Sequence, residues 1–309
     1  MKSIPQNQEF SFLAIIFAVV LCALFGANAV AIKISLSGLG VLTTAALRFS
    51  IASVVISLWA KATGQSFYIR KGQGYQLLIL SVIFTVQLSL FYLGLSRTNA
   101  SRGTLVVNLM PFFILFLAHY FIPGDRISTR KALGILMGFS GIAFVFLDKK
   151  SLNTDLHIGD LIILTASFIW ACNTVYVKRI IDSFNPFHLA LYPMIFSIPF
   201  FFLGGFLWDG AMIGTINSKV LASLLYQGLV TASFGFVAWN HMLKKYGATS
   251  LHSFVFIMPI TGVFLGGFIL GEPITTNILF ALILVTAGIM AVHFKTQKPT
   301  PLSSLRRGI

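Results

Sequence analysis

The sequence predicts an all-α integral membrane protein, ten transmembrane helices arranged as two inverted five-helix repeats. Composition, a series of ten apolar runs and an internal duplication carry that prediction. Of 309 residues, 57% are apolar and 10% charged, against roughly 45–50% and roughly 25% in soluble domains. A soluble fold of this length needs a polar skin, and 22 Lys plus Arg with 8 Asp plus Glu do not supply one. The formal charge of +14 comes from bases set between apolar runs, which is a topology signal and not a nucleic-acid footprint, so nucleic acid is excluded as a partner. Cys22 and Cys172 both lie inside apolar stretches, so neither a disulfide framework nor a CxxC metal cluster is expected. No cofactor is expected either.

A hydrocarbon core of about 30 Å needs about 20 apolar residues in a helix. Ten such runs follow one another at 11–32, 41–60, 75–95, 100–122, 131–147, 158–179, 187–207, 220–242, 249–270 and 275–294. They are continuous where a barrel strand would alternate, which leaves helices. The runs divide the chain into an N-terminal tail (1–10), a first repeat (11–148), a connecting loop (149–157), a second repeat (158–294) and a basic tail (295–309) suited to anionic lipid. Fifteen of the 22 bases fall on one side of the alternating loops, among them Lys2, Lys61, Arg130, Lys244 and Arg306, and six on the other, Lys33, Arg97, Arg102, Lys149, Lys150 and Lys219. The bias places both termini in the cytoplasm and the chain as a multi-pass protein of the inner membrane. Lys2 and the Ala27-Asn28-Ala29 pattern imitate a cleaved signal peptide. Span 1 is nevertheless retained, because it is long enough to cross and has a counterpart in the second half.

That counterpart emerges when the chain is slid on itself by about 147 residues. Phe25-Gly26-Ala27-Asn28 with Lys33 falls on Trp170-Ala171-Cys172-Asn173 with Lys178. Ala100 to Met110-Pro111 falls on Ala248 to Met258-Pro259, Gly124-Asp125 on Gly271-Glu272, and Gly141 on Gly288. Each repeat has an odd number of spans, so the second copy enters the membrane from the opposite side. Inverted repeats are the architecture of secondary transporters, whose halves wall a site near the midplane and open it alternately. The partners implied are a small-molecule substrate and the lipid bilayer.

These residues resemble a known family. The ten spans, F/W-x-x-N in spans 1 and 6, Leu47-Arg48-Phe49 in span 2, the span prolines and the Gly-Asp and Gly-Glu turns are similar to those of EamA-type exporters of the drug/metabolite transporter superfamily. The resemblance covers about residues 11–294. It implies a basket of ten helices around a central cavity and efflux of small metabolites such as amino acids, purine-type compounds or amphipathic drugs. One departure is Pro193 where Arg48 has its counterpart; with Pro199, it makes span 7 more distorted than span 2 in expectation.

Candidate substrate-binding residues are polar or aromatic groups that an apolar span has no reason to carry. Asn28 and Asn173 each need a partner or a wet cavity, since an unpaired buried amide costs about 1–3 kcal/mol. Phe25 and Trp170 lie three residues earlier on the same faces. Pro111 and Pro259 are candidate hinges whose missing N–H groups would free the carbonyls of Val107 and Val255. Asn108 lies beside Pro111, with apolar Phe256 at the corresponding position. Gln87 sits near the middle of span 3, while Trp239 in span 8 aligns with Phe91. Tyr92 and His241, near span ends, read as interfacial anchors. Arg48 is the one clearly intramembrane cation, able to snorkel, cap carbonyls or hold a carboxylate.

The acids all fall in tails, loops or span ends, so coupling through a midplane carboxylate is not supported, and facilitated diffusion or exchange is the simplest expectation. Two other classes compete. A channel or receptor could be built on ten helices, although an inverted repeat favours alternating access. Gly138-Phe139-Ser140-Gly141 with His293 imitates an intramembrane serine protease, but Gly134-x-x-x-Gly138 makes the same segment a packing face and Ser140 aligns with Ala287. No P-loop or HExxH motif is present, and the chain is read as not an enzyme. Gly262-x-x-x-Gly266 serves close packing between the halves or a homodimer.

Overall fold

The computed structural model describes residues 11–121, 129–147, 154–184, 186–246, 251 and 254–293. Both tails, the Gly124-Asp125 turn and the Ala248 end of the repeat match lie outside them. Among the described residues, eight helices are long and apolar enough to cross a membrane and two shorter apolar helices complete the set. They are α1 (Phe12–Ser35), α2 (Val41–Ala62), α3 (Gly74–Arg97), α4 (Ala100–Phe121), α5 (Thr129–Phe146), α6 (Thr154–Ile180), α7 (Pro186–Trp208), α8 (Ser218–Leu225 continuing to Tyr246), α9 (Ile257–Leu270) and α10 (Thr276–His293). The apolar residues cover all faces of each helix, as expected where one side meets lipid and the other meets protein.

Packing follows the inverted repeat. α5 lies against α10, α2 against α7 and α4 against α9, each helix meeting its own counterpart, and α3 against α6 joins the halves. Close approach rests on glycine. A Cβ on Gly134 would stand 2.8 Å from the Gly288 carbonyl oxygen, and one on Gly288 2.7 Å from that of Gly134, so any larger residue forces α5 and α10 apart. Ser140 of the serine-protease pattern is exposed, while Gly138 and Gly141 beside it pack on Phe112 and Val285.

Four helices depart from regularity. α1 is two segments, Phe12–Gly26 and Asn28–Ser35, meeting at Ala27. α4 breaks at Asn108–Leu109 into Ala100–Val107 and Met110–Phe121, and α9 begins after a turn at 254–256. The two proline sites are therefore equivalent, but neither proline interrupts a helix. Each sits in the first turn of a segment, where a missing N–H costs nothing. The Val255 carbonyl accepts the Met258 N–H at 3.0 Å, which corrects the expectation that it is freed. α7 also differs from expectation, since Pro193 and Pro199 lie inside one continuous helix. The irregular stretch is in α8, where Tyr226–Gly235 is π-helical, a form found mostly as short bulges at functional sites.

Candidate functional site

The connections at 36–40, 98–99, 209–217 and 271–275 share one end of the bundle, the one the charge bias of the sequence leads us to expect on the outside, and polar groups concentrate there. Helix N-termini leave backbone N–H groups without partners and carry partial positive charge. Two acids from the second half fill that need in the first. Asp209 accepts from Leu42 N at 3.2 Å, Thr43 N at 3.0 Å and Thr43 Oγ1 at 2.8 Å at the start of α2. Glu272 accepts from Ala100 N at 2.6 Å, Ser101 N at 2.8 Å and Ser101 Oγ at 2.6 Å at the start of α4. A short antiparallel bridge between Leu39 and Ile213, with Gly40 N donating to Met212 O at 3.0 Å, pins the same end. Lys33 Nζ caps the C-terminus of α3 through the carbonyls of Leu95 at 3.1 Å and Thr98 at 2.8 Å.

Arg102 and Asp160 form a buried ion pair between α4 and α6, 2% and 0% exposed. Arg102 Nε donates to Asp160 Oδ2 at 3.0 Å, Nη2 converges on the same oxygen, and Thr98 Oγ1 donates to Oδ1 at 2.6 Å. This places Arg102, counted among the loop bases, in the first turn of α4 and buried against α6.

Arg48 heads a second network. Its Nη1 donates to Tyr92 Oη at 3.1 Å and its Nη2 to Thr231 Oγ1 at 3.2 Å, with the Phe49 ring 5.2 Å away. Tyr92 passes its own proton to Gln227 Oε1 at 3.0 Å, and Gln227 Nε2 donates to Ser35 Oγ at 2.7 Å and Ala31 O at 3.2 Å. Thr231 Oγ1 donates to Asn28 Oδ1 at 3.1 Å or to Gln227 O at 2.9 Å. Just below, Tyr226 Oη reaches the Leu24 carbonyl at 2.6 Å, beside the Ala27 break. The network ties α1, α2, α3 and the π-helical stretch of α8. Tyr92 is fully buried within it, so its expected interfacial role is overturned: its hydroxyl is held between Arg48 and Gln227. His241 is exposed.

Of the candidate residues, the structure brings some together. Asn28 joins the Arg48 network, and Phe25 meets Trp239 edge-on at 5.9 Å between ring centroids. Trp170 meets Phe91 at 6.3 Å across α3 and α6. Others stand apart. Asn108 donates to the Thr104 carbonyl of its own helix at 2.7 Å, and Phe256 packs against the main core. Gln87 is 1% exposed and Asn173 8%; Gln87 Oε1 and Asn173 Oδ1 are buried acceptors without a hydrogen-bond partner. Two clefts of ≈ 560 and ≈ 500 Å³ open towards the opposite end, one beside Phe17 and Lys245 and one beside Ser53 and Lys61, and neither is lined by a candidate residue. Sequence reasoning missed Gln227, Thr231 and Tyr226. Their signal was present, since a Gln and a Thr four apart put two polar groups on one face of an apolar span.

Comparison with known proteins agrees with this architecture. A solved crystal structure superposes with a TM-score of 0.67 at 18% identity, over 90% of this chain and 96% of the other, which speaks for the fold alone. The uncharacterized transporter YoaV of Bacillus subtilis is 23% identical over 274 residues, 88% of this chain and 93% of its own. A protein of Salmonella typhimurium named "Probable amino-acid metabolite efflux pump" is 27% identical over 295 residues, 92% of this chain and 94% of its own. The EamA-like transporter family matches twice, over residues 12–147 and 157–294. Matched in both of its five-helix halves, the chain belongs to the EamA-like transporter family.

Proposed function

We propose that this protein is a secondary transporter that exports small metabolites, amino acids or their derivatives foremost, by alternating access between its two halves. The observation that carries the reading is the inverted repeat with polar contacts across it: Arg48 to Thr231, Tyr92 to Gln227, Asp209 to α2 and Glu272 to α4 each join one half to the other. Contacts of this kind are discrete and reversible, so the outer end opens when Asp209 and Glu272 release the helix N-termini they cap. The substrate space is assigned to Phe25, Asn28 and Trp239 on α1 and α8, with Trp170, Asn173, Gln87, Asn108 and Phe256 on the facing helices. The relatives named as efflux pumps support the direction of transport and the amino-acid class. Both termini face the cytoplasm of the inner membrane, which a reporter fused to the C-terminus checks directly.

The test is counterflow. Proteoliposomes loaded with unlabelled amino acid should concentrate the labelled compound transiently and saturably, with no imposed ion gradient. Linear, non-saturable flux without counterflow would establish a channel instead. Transport abolished by collapsing a pH gradient, with the substrate gradient intact, would replace facilitated exchange by proton coupling.

A further inference from the structure

We propose that the Arg48 guanidinium is the docking point for one carboxylate of the transported solute, which makes the substrate class monocarboxylic acids, amino acids included. The proposal rests on the transporter reading above. Arg48 lies seven residues into α2, about 10 Å from its start at 1.5 Å per residue. A charge at that depth is costly unless it is paired. The described acids nearest the outer end are all committed elsewhere, Asp160 to Arg102 and Thr98, Asp209 to the start of α2 and Glu272 to the start of α4.

The partners that Arg48 does have are neutral, and their protons point away from it. Tyr92 gives its proton to Gln227, and Thr231 gives its own to Asn28 or the Gln227 carbonyl. Two hydroxyl oxygens thus accept from the guanidinium without neutralising it. Nε is buried with no hydrogen-bond partner among the described residues. Arg102 supplies the internal contrast, since its Nε and Nη2 both engage a carboxylate, the edge-on donor pair that Arg presents to such groups. At Arg48 that edge lacks its anion.

The ligand is a monoanion by the same accounting. A phosphate dianion calls for a second cation at the same point, whereas Arg102 is ion-paired with Asp160 and the Lys33 ammonium is directed onto the carbonyls at the end of α3. Asn28, reached through Thr231, adjoins the Phe25–Trp239 pair in α1 and α8, an aromatic surface suited to the apolar part of a small acid.

The experiment compares the proteinogenic amino acids with their amides on the purified full-length protein, by thermal stabilisation and by counterflow in proteoliposomes. At least one acid should bind about tenfold or more tightly than its amide, the equivalent of one charge-assisted hydrogen bond. Arg48→Gln should cut that preference to about threefold or less, and Arg48→Lys should leave an intermediate value. The double variant Tyr92→Phe/Thr231→Val removes the tethers and keeps the guanidinium, so it should retain the preference for the acid. A purely structural Arg48 predicts the opposite pattern, loss of stability in every variant with acid and amide bound alike. Equal binding of acids and amides by the unmodified protein, a preference that survives Arg48→Gln, or a preference lost in the double variant overturns the proposal. Should Arg48→Gln not fold, the unmodified protein and the double variant decide it. Counterflow of amides and acids alike removes only the carboxylate dock, while absence of counterflow for every compound removes the transporter reading itself.

Discussion

Replacing Asp160 by Ala tests the contribution of the ion pair buried between α4 and α6. The substitution removes the acceptor for Arg102 Nε at 3.0 Å and for Nη2, strips Thr98 Oγ1 of its partner at 2.6 Å, and leaves a guanidinium 2% exposed with its countercharge gone. At about 3 Å and an effective dielectric constant of about 20, the direct attraction is about 5–6 kcal/mol. Desolvation of both groups offsets much of this, and breaking a buried pair from one side costs about 3–5 kcal/mol. Arg102 is the third residue of α4, about 3–5 Å from the helix end at 1.5 Å per residue, so its head can turn partly to water and the lower figure, about 3 kcal/mol, is expected. The assay is unfolding in detergent by titration with a denaturing surfactant, followed by tryptophan fluorescence. Arg102→Met/Asp160→Leu, which removes both charges and keeps volume, should return stability to within about 1 kcal/mol of the parent or exceed it. If Asp160→Ala alone falls within about 0.5 kcal/mol of the parent, the pair does not clamp α4 to α6 and the reasoning from burial fails.

Three further substitutions probe other contacts between the halves. Glu272→Ala removes three acceptor contacts from the start of α4 and should cost about 0.5–2 kcal/mol; in a background lacking Cys22 and Cys172, an impermeant maleimide should label Val263→Cys up to about tenfold faster from outside, and an unchanged rate refutes the clasp. Gly26→Val places a Cβ 2.5 Å from the Met258 carbonyl oxygen and 2.8 Å from Thr261 Cβ, so α1 and α9 must separate at about 1–3 kcal/mol, read as loss of monodisperse protein on gel filtration. Gln227→Leu deprives Tyr92 Oη of its acceptor and Ser35 of a donor; the cost should be about 0.6–1.7 kcal/mol. A double-mutant cycle with Tyr92→Phe should give a coupling of about 0.5 kcal/mol or more.

The spans were legible because helix length in lipid is set by bilayer thickness, and the inverted topology followed from an odd number of spans per repeat. Local irregularity was not. A π-helical stretch carries no distinctive residue type, so nothing in Tyr226–Gly235 announced it, while Pro193 and Pro199 drew attention to α7, which forms one continuous helix. Depth was misread wherever the second half of the chain alters it. Counting along span 3 places Tyr92 near the surface, and the tally of loop bases places Arg102 outside a span; both are buried against partners far away in sequence, Tyr92 on Gln227 and Arg102 on Asp160. Periodicity within one span cannot report that, but comparison between the repeats can. Arg48 aligns with Pro193, Tyr92 with Asn240 and Arg102 with Ser250, so each loses its chemistry in the inverted copy. Polar groups present in one copy alone mark where the two ends of the bundle differ in kind, and in this chain those three residues all belong to the buried networks towards the end that carries Asp209 and Glu272.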